Sequence, residues 1–310
     1  MSTSAETREA EREQDRQPTT AKSSQMSERS LAKVFLAPSV GTMVLVAAFP
    51  IFYALVVSFW LYLGREQVTV GLDNYVRAFT ESNLVTAFVA TMVFTVVSVT
   101  FEFVIGMGFA LIMNQAFQGR GVTRAAILIP WVIPTVIAAM MWQFMFNVSP
   151  GTVNWLLPFV GADFNWLGES GWAMFTIIFA DVWKTAPFVA LLLLAGLQTI
   201  PEEVYESARV DGATAWQRFY RVTLPLLRPA ILVALLFRTV EALRVFDLPF
   251  VMTGGTSGTE TLSILVQRYV IQTVDPGLAS SLSTLTFILV LGVGVMFVTL
   301  LGRGTVIGEQ

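Results

Sequence analysis

The sequence contains neither cysteine nor histidine among its 310 residues. The lack of cysteine excludes disulfide bonds and thiolate nucleophiles, and the lack of both excludes Cys/His zinc sites and imidazole chemistry. Sites built from Asp and Glu remain possible, but no catalytic residue and no metal ligand is assigned. Charged residues are also scarce, at 13% against about 25% in ordinary soluble proteins, and the net charge is −3. Nucleic-acid binding requires clustered basic residues, so this class of partner is not expected.

Hydrophobic residues make up 55% of the chain, and the mean hydropathy is +0.66. A chain this apolar cannot cover itself with polar surface, so lipid must be part of its environment. A helix needs roughly 20 apolar residues to cross the hydrocarbon core. Six segments meet this requirement and predict an all-α, polytopic membrane protein with six transmembrane helices: residues 34–63, 84–113, 125–146, 173–197, 226–246 and 278–301.

The two ends of the chain differ from this membrane domain. Residues 1–30 are rich in Glu, Arg, Gln, Ser and Thr, so they bury too little apolar surface to offset the entropy of ordering. They are predicted to form a disordered cytoplasmic tail. The six-helix transmembrane domain is placed at residues 31–303, and a short cytoplasmic tail at residues 304–310.

Basic residues near the six spans predict the orientation. If the N-terminus is cytoplasmic, thirteen basic residues lie inside and three, Arg65, Arg77 and Arg268, lie outside. The inside set is Arg8, Arg12, Arg16, Lys22, Arg29, Lys33, Arg120, Arg124, Arg209, Arg218, Arg221, Arg228 and Arg303. Because positive residues favour the cytoplasmic side, both termini are predicted to be cytoplasmic.

The polar segment 201–225, between the fourth and fifth spans, has the pattern of two short helices. Pro201 and two following glutamates suit a helix start, and Gly212 suits its left-handed end. Thr214 and Gln217 form a capping-box pattern that begins a second helix, on which Trp216, Phe219 and Tyr220 share one face. Pro225 is taken as the start of the next span. Two short helices are not stable alone, so they must pack against the bundle or a partner.

This segment resembles the cytoplasmic motif of the binding-protein-dependent ABC importer permeases. That motif reads Glu-Ala-Ala, three residues, Gly, nine residues, Ile, any residue, Leu-Pro. The chain has Glu206-Ser207-Ala208, Gly212, Val222 and Leu224-Pro225 at the same spacings, with Ser207 for Ala and Val222 for Ile. The resemblance implies a type I ABC importer permease fold with a coupling helix, in a bacterial cytoplasmic membrane. It places the ATPase-docking contacts at Glu206, Ser207, Ala208, Asp211, Gly212 and Ala213.

Three further elements resemble the maltose/trehalose-type sugar permeases and the mycobacterial type of trehalose importer: residues 71–75, 183–188 and 252–255. This resemblance implies import of a sugar, a disaccharide such as trehalose, by alternating access. It implies four kinds of partner: a second permease subunit, an ATPase dimer that holds ATP-Mg, an extracytoplasmic substrate-binding (lipo)protein, and membrane lipid. Other sugars, maltose-type oligosaccharides or glycerol-phosphate, are alternatives.

Several charges lie within the predicted spans, where an ionised side chain costs about 2.5–3.5 kcal/mol on insertion scales. Glu102 is expected to be an internal partner for a basic residue. Asp181 and Lys184 are three apart, so they can pair with each other on one face of the fourth span. Arg238, Glu241, Arg244 and Asp247 recur every third residue, and either line the path or neutralise one another between helices. The candidates for the substrate path are Lys184, Arg244, Asp247, Phe250 and Trp142.

Two rival functions follow from the same charges. An ion-coupled secondary transporter could use Glu102, Asp181 or the fifth-span charges as a relay. A polytopic membrane enzyme could use paired carboxylates. The chain has no Gly-rich Walker sequence, so an ATP-driven function would require a separate ATPase subunit.

The loops at residues 147–171 and 248–277 are predicted to face outward, and residues 254–259 within the second are predicted to form a flexible polar run.

Overall fold

The computed structural model describes residues 28–63, 66–149, 151–157 and 164–306. The chain divides into two compact units, with the boundary between Tyr53 and Ala54. Helix is the dominant structure throughout. The predicted tail residues 1–27 and the last four residues lie outside the described part. Residues 28–30 and 304–306 are helical, so the helical domain extends beyond both of the boundaries predicted from the sequence.

The first unit contains helix α1 (Glu28–Met43), a π-helical turn (Val44–Ala48) and the beginning of helix α2 (Phe49–Ser58). Residues Phe35–Ser58 are apolar enough and long enough to cross a membrane. The predicted span was too long at its C-terminal end, because strand β1 (Trp60–Leu63) pairs antiparallel with strand β2 (Glu66–Val70). The helix stops where the amide of Asn74 donates hydrogen bonds to the carbonyl oxygens of Ser58 and Trp60, at 3.0 and 2.9 Å.

After these strands, the described part of the second unit contains thirteen α-helices, the last of which is the fourth long span. In chain order its first part comprises α3 (Asp73–Thr80), α4 (Leu84–Asn114), α5 (Arg120–Val132), α6 (Thr135–Met145), α7 (Thr152–Leu156) and α8 (Trp172–Leu197). Its second part comprises α9 (Glu202–Val210), α10 (Ala215–Arg218), a π-helical turn (Phe219–Thr223), α11 (Leu224–Leu226), α12 (Arg228–Ala242), α13 (Asp247–Thr253), α14 (Leu262–Ile271) and α15 (Pro276–Val306).

The six predicted spans correspond to four long apolar helices and two bent pairs. The third span was predicted as one helix, but α5 and α6 meet at 90°. Pro134 explains the bend: the residue before a proline avoids helical dihedrals, and Ile133 is extended, with φ −67° and ψ 129°. The fifth span is also bent, by 68°, where α11 gives way to α12 at Leu227. Pro225 therefore lies within a helix rather than at the start of the span.

Helix α8 is the most buried of the four long spans and packs directly against α4. At Gly106 the two helices approach so closely that a Cβ atom would lie 2.8 Å from Val189 Cγ1 and 3.0 Å from the carbonyl oxygen of Ala186. At Gly196, α8 has a similar close approach to Ala230 of α12. Helix α8 therefore holds both neighbours through glycine contacts, and Pro187 within it does not interrupt it.

The segment 248–277 is more ordered than predicted. Helix α13 ends at Gly254, and the turn that follows uses three glycines with positive φ: Gly254, Gly255 and Gly258. Thr261 then caps α14 by accepting a hydrogen bond from the backbone N–H of Ile264. Residues 254–259, expected to form a flexible polar run, form a tight turn at these glycines, and Thr259 within it is fully buried.

The glycine contact between α4 and α8 predicts a pair of opposite mutational effects. Gly106→Ala places a methyl group against Val189, so we expect a loss of about 1–3 kcal/mol from overpacking. Gly108→Ala is the matched control, since nothing lies within 4 Å of its Cβ position and alanine favours helix by up to about 1 kcal/mol. The midpoint of thermal unfolding of the purified protein should fall for the first variant and hold or rise for the second. Equal midpoints would contradict the close approach.

Candidate functional site

The segment between α8 and α12 forms a compact projection, which we call the knob (residues 201–227). Its first helix, α9, begins after Pro201 with Glu202 and Glu203 in the first turn, as the sequence predicts. The helix ends at Asp211, and Gly212 follows with φ +77°. The backbone N–H of Ala213 returns to the carbonyl oxygen of Ala208 at 2.9 Å. The predicted left-handed stop at Gly212 is confirmed.

The second half of the knob begins with the predicted capping box. Thr214 accepts a hydrogen bond from the Gln217 backbone N–H, and the Gln217 side chain accepts one from the Thr214 N–H at 2.8 Å. The predicted aromatic face is also present, with ring centroids 4.8 Å apart for Trp216 and Tyr220 and 6.1 Å apart for Trp216 and Phe219. This helix is longer than predicted, because α10 continues through the π-helical turn into α11.

The two halves of the knob are fastened to each other and to the bundle. The hydroxyl groups of Tyr205 and Thr223 are 3.2 Å apart, and Arg218 donates to the carbonyl oxygen of Ala213 at 3.0 Å. Phe219 and Leu224 pack against a buried cluster contributed by α4, α8 and α12. The knob is therefore a rigid attachment rather than a loose loop.

Large apolar side chains are exposed on the outer surface of the knob, although the segment as a whole is polar. Val210 is 88% exposed and Trp216 is 69% exposed. The residues predicted to dock an ATPase lie on this surface: Glu206, Ser207, Asp211 and Gly212 are exposed, and Ala208 and Ala213 are half-buried. Glu206 faces Arg209 at 3.8 Å, while Arg209 binds Glu202 more closely, at 3.0 Å. Glu206 thus remains accessible to an outside partner.

A second group of functional candidates lies deep within the bundle, around Arg238 of α12. This side chain is 2% exposed and binds Glu102 of α4 through two hydrogen bonds, Nε to Oε2 at 2.5 Å and Nη2 to Oε1 at 2.7 Å. It also binds Asp181 of α8 at 3.1 Å and Glu241 at 2.7 Å. The prediction that Glu102 is an internal partner for a basic residue is confirmed.

The predicted pairing of Asp181 with Lys184 was wrong. Asp181 turns to Arg238 instead, because the planar guanidinium offers several donors at once to surrounding carboxylates. Lys184 is only 9% exposed, and none of the ion pairs or hydrogen bonds among the described residues involves its ammonium group.

Lys184 lines a cavity of about 150 Å³ whose wall includes Arg238 and Glu241. The same cavity is lined by Arg244 and Asp247, so the structure brings together three of the five residues predicted for the substrate path. The remaining lining residues are Phe94, Thr135, Asp181, Thr185, Ala242, Val245, Phe246 and Leu248. The regular charge ladder predicted along one helix is not formed, since α12 ends at Ala242 and Asp247 starts α13.

The two aromatic candidates lie apart from this lining. Trp142 is buried among other rings, in edge contact with Phe179 and Trp183 at centroid distances of 5.1 and 5.4 Å. Phe250 is 39% exposed and stacks on Phe246 at 4.8 Å, so it touches the cavity only through that neighbour. The sequence analysis missed Thr185, which donates to Glu102 at 2.8 Å and joins α8 to the charge cluster.

Known proteins resemble this chain in sequence and in fold. Residues 102–304 match the family model described as binding-protein-dependent transport system inner membrane component. The chain is 46% identical over 77% of its length to the trehalose/maltose transport system permease protein MalF of Thermococcus litoralis, of which 84% is covered. It is 41% identical over 92% of its length to the trehalose transport system permease protein SugA of Mycobacterium tuberculosis, of which 93% is covered.

A solved structure has the same fold. A chain of a bacterial ABC transporter involved in the import of the acidic polysaccharide alginate superposes with a TM-score of 0.78 at 25% identity, covering 88% of this chain and 95% of that one. The family model covers most of the second unit, and the two relatives, at 46% and 41% identity, match most of the length of the chain. The chain therefore belongs to the binding-protein-dependent transport system inner membrane components, the multi-pass permease subunits of ABC importers.

Proposed function

We propose that this chain is one permease subunit of an ATP-driven importer that moves a sugar, a disaccharide such as trehalose, into the cell by alternating access. The observation that carries the proposal is the knob: a rigid, capped pair of helices joined at its ends to α8 and α12. Two of its relatives are named for trehalose or trehalose/maltose transport, which supports a disaccharide as the cargo.

The exposed apolar surface of the knob requires a partner, which we propose is an ATPase subunit. An aromatic side chain such as Trp216 has the character of an interface anchor, because such residues contribute large contact areas at well-packed centres. The chain has no Walker sequence, so ATP-Mg would be held by this partner. One chain carries one knob, and an ATPase pair would therefore engage a second permease subunit through that subunit's own knob.

The proposed orientation places the knob and both termini in the cytoplasm. The excess of arginine and lysine on that side supports it. The opposite end of the bundle, which includes α7, α13 and α14, would then face an extracytoplasmic substrate-binding protein. A related alginate importer has been solved in complex with a pentasaccharide-bound periplasmic protein.

The cavity beside Arg238 is the proposed substrate path through this subunit. Lys184 and Arg244 supply donors, and Asp247 supplies acceptors, which together suit the hydroxyl groups of a sugar. Because Lys184 lines the cavity and its ammonium has no protein partner among the described residues, a sugar oxygen would be its natural acceptor. Phe250 and Trp142 would act behind this lining, through ring contacts.

The docking proposal predicts that Trp216→Ser weakens ATPase association. Loss of an interface anchor costs about 2 kcal/mol or more, which corresponds to roughly a thirty-fold weaker complex. Co-purification of the ATPase from membranes measures the effect. Trp155→Ser is the matched control, because Trp155 is equally exposed but lies in α7, at the opposite end of the bundle.

Replacement of Gly212 by valine should have the same effect, since its φ of +77° is unfavourable for a branched side chain. Full ATPase association and transport in both variants would refute the docking role. Uptake that survives ATP depletion but stops when the proton gradient is collapsed would favour an ion-coupled transporter instead.

The substrate-path proposal predicts that Lys184→Met impairs transport without releasing the ATPase. Methionine keeps the apolar stem but removes a charged donor, whose hydrogen bond is worth about 1.5–3 kcal/mol. We therefore expect the transport efficiency for the sugar to fall at least about ten-fold in reconstituted vesicles. Lys184→Arg retains a cation and should recover part of the loss. Unchanged KM and rate in Lys184→Met would remove Lys184 from the path.

A further inference from the structure

Helix α12 connects the two functional regions of the molecule. It begins at Arg228, directly after the knob, and its last residues, Glu241 and Ala242, lie in the cavity wall. Arg238 is ten residues from the start of the helix, which corresponds to about 15 Å along its axis. A displacement of the knob can reach the cavity through α12 only if this helix does not turn or slide against its neighbours.

Arg238 is placed to prevent such turning. Its three nitrogen atoms make four hydrogen bonds to three carboxylates: Glu102 on α4, Asp181 on α8 and Glu241 on α12 itself. Thr185 of α8 donates a further hydrogen bond to Glu102. Arg238 and Glu102 are almost completely buried, so water does not compete for these contacts.

The geometry of these contacts is directional, unlike that of the apolar contacts around them. A guanidinium fork binds a carboxylate through two parallel N–H groups in one plane, which fixes the rotation of the helix that carries it. Apolar side chains tolerate small slips, whereas separating one partner of a buried ion pair is strongly unfavourable. Close packing of Gly196 on Ala230 holds the other end of α12 against α8.

Arg238 also determines the position of a cavity group. Glu241 is 66% exposed, lines the cavity and accepts a hydrogen bond from Arg238 Nη1 at 2.7 Å. A movement of Arg238 therefore moves a carboxylate that faces the proposed substrate path.

We propose that Arg238 is a positioning residue for transport, one that locks α12 to α4 and α8 so that the movement of the knob is transmitted to the cavity. The inference rests on the proposed function, in that the knob is taken as the ATPase-docking element. A purely stabilising role for Arg238 would affect the amount of assembled complex, and a positioning role would affect how much sugar is moved for each ATP hydrolysed.

The test uses the complete importer in proteoliposomes with its binding protein, and measures sugar uptake and ATP hydrolysis together. Glu102→Gln is the main variant, because it keeps the shape of the side chain and leaves Arg238 paired with Asp181. We expect normal assembly and ATP hydrolysis within about two-fold of the unmodified complex, with several-fold less sugar moved per ATP. Thr100→Val, on an exposed position of the same helix, is the control and should change neither value. An unchanged ratio in Glu102→Gln would overturn the proposal.

A second measurement needs no change to the cluster. The chain lacks cysteine, so single cysteines at Phe101 and Phe237, both exposed, can carry spin labels next to Glu102 and Arg238. Their distance should change by less than about 2 Å between the nucleotide-free and vanadate-trapped complexes, which is the scale of small helix shifts. A larger change would overturn the proposal even if transport itself is intact. Absence of ATP-dependent uptake by the unmodified complex would instead refute the proposed function.

Discussion

Within lipid, a main-chain N–H or C=O group has no water to bind, so each must find a partner inside the protein. This constraint accounts for the long helices and explains where they stop. The helix that ends at Ser58 does so beside Asn74, whose amide satisfies two of the free carbonyl groups. A carbonyl group at the C-terminus of α4 is satisfied in a similar way, because Arg124 donates two hydrogen bonds to the carbonyl oxygen of Met113. At these two helix ends, polar side chains from neighbouring elements thus bind the free carbonyl groups.

The same requirement applies to side chains and gives the interior its charge cluster. An arginine in the middle of a membrane protein is tolerated when its charge is neutralised and its nitrogen atoms are engaged, and each of the three nitrogen atoms of Arg238 binds a carboxylate, with carboxylates from three helices. Lys184, one turn away on α8 from Asp181, is left facing the cavity. The cluster thus separates two groups of charges: those that bind each other and those that are open to a small polar ligand.

Local signals made much of the structure predictable from the sequence. Four spans follow from apolar length, and the knob follows from Pro201, Gly212 and the Thr214 capping box, each of which acts within a few residues. The contacts around the cavity were harder to predict from the sequence. Arg238 meets residues 57 and 136 positions away, and helical spacing alone paired Asp181 with the wrong cation. The bends at Ile133 and Leu227 were missed because hydropathy measures how apolar a segment is and does not register its direction.

The knob is determined by signals between near neighbours in the sequence, and the cavity by contacts between residues far apart in it. This difference has an evolutionary consequence. The shape of the knob is encoded almost entirely within 27 consecutive residues, whereas the cavity depends on pairings among distant helices. Substitutions among the residues that line the cavity therefore leave the local signals of the knob untouched. A lineage of such permeases can change the lining of the cavity while every member keeps the same knob.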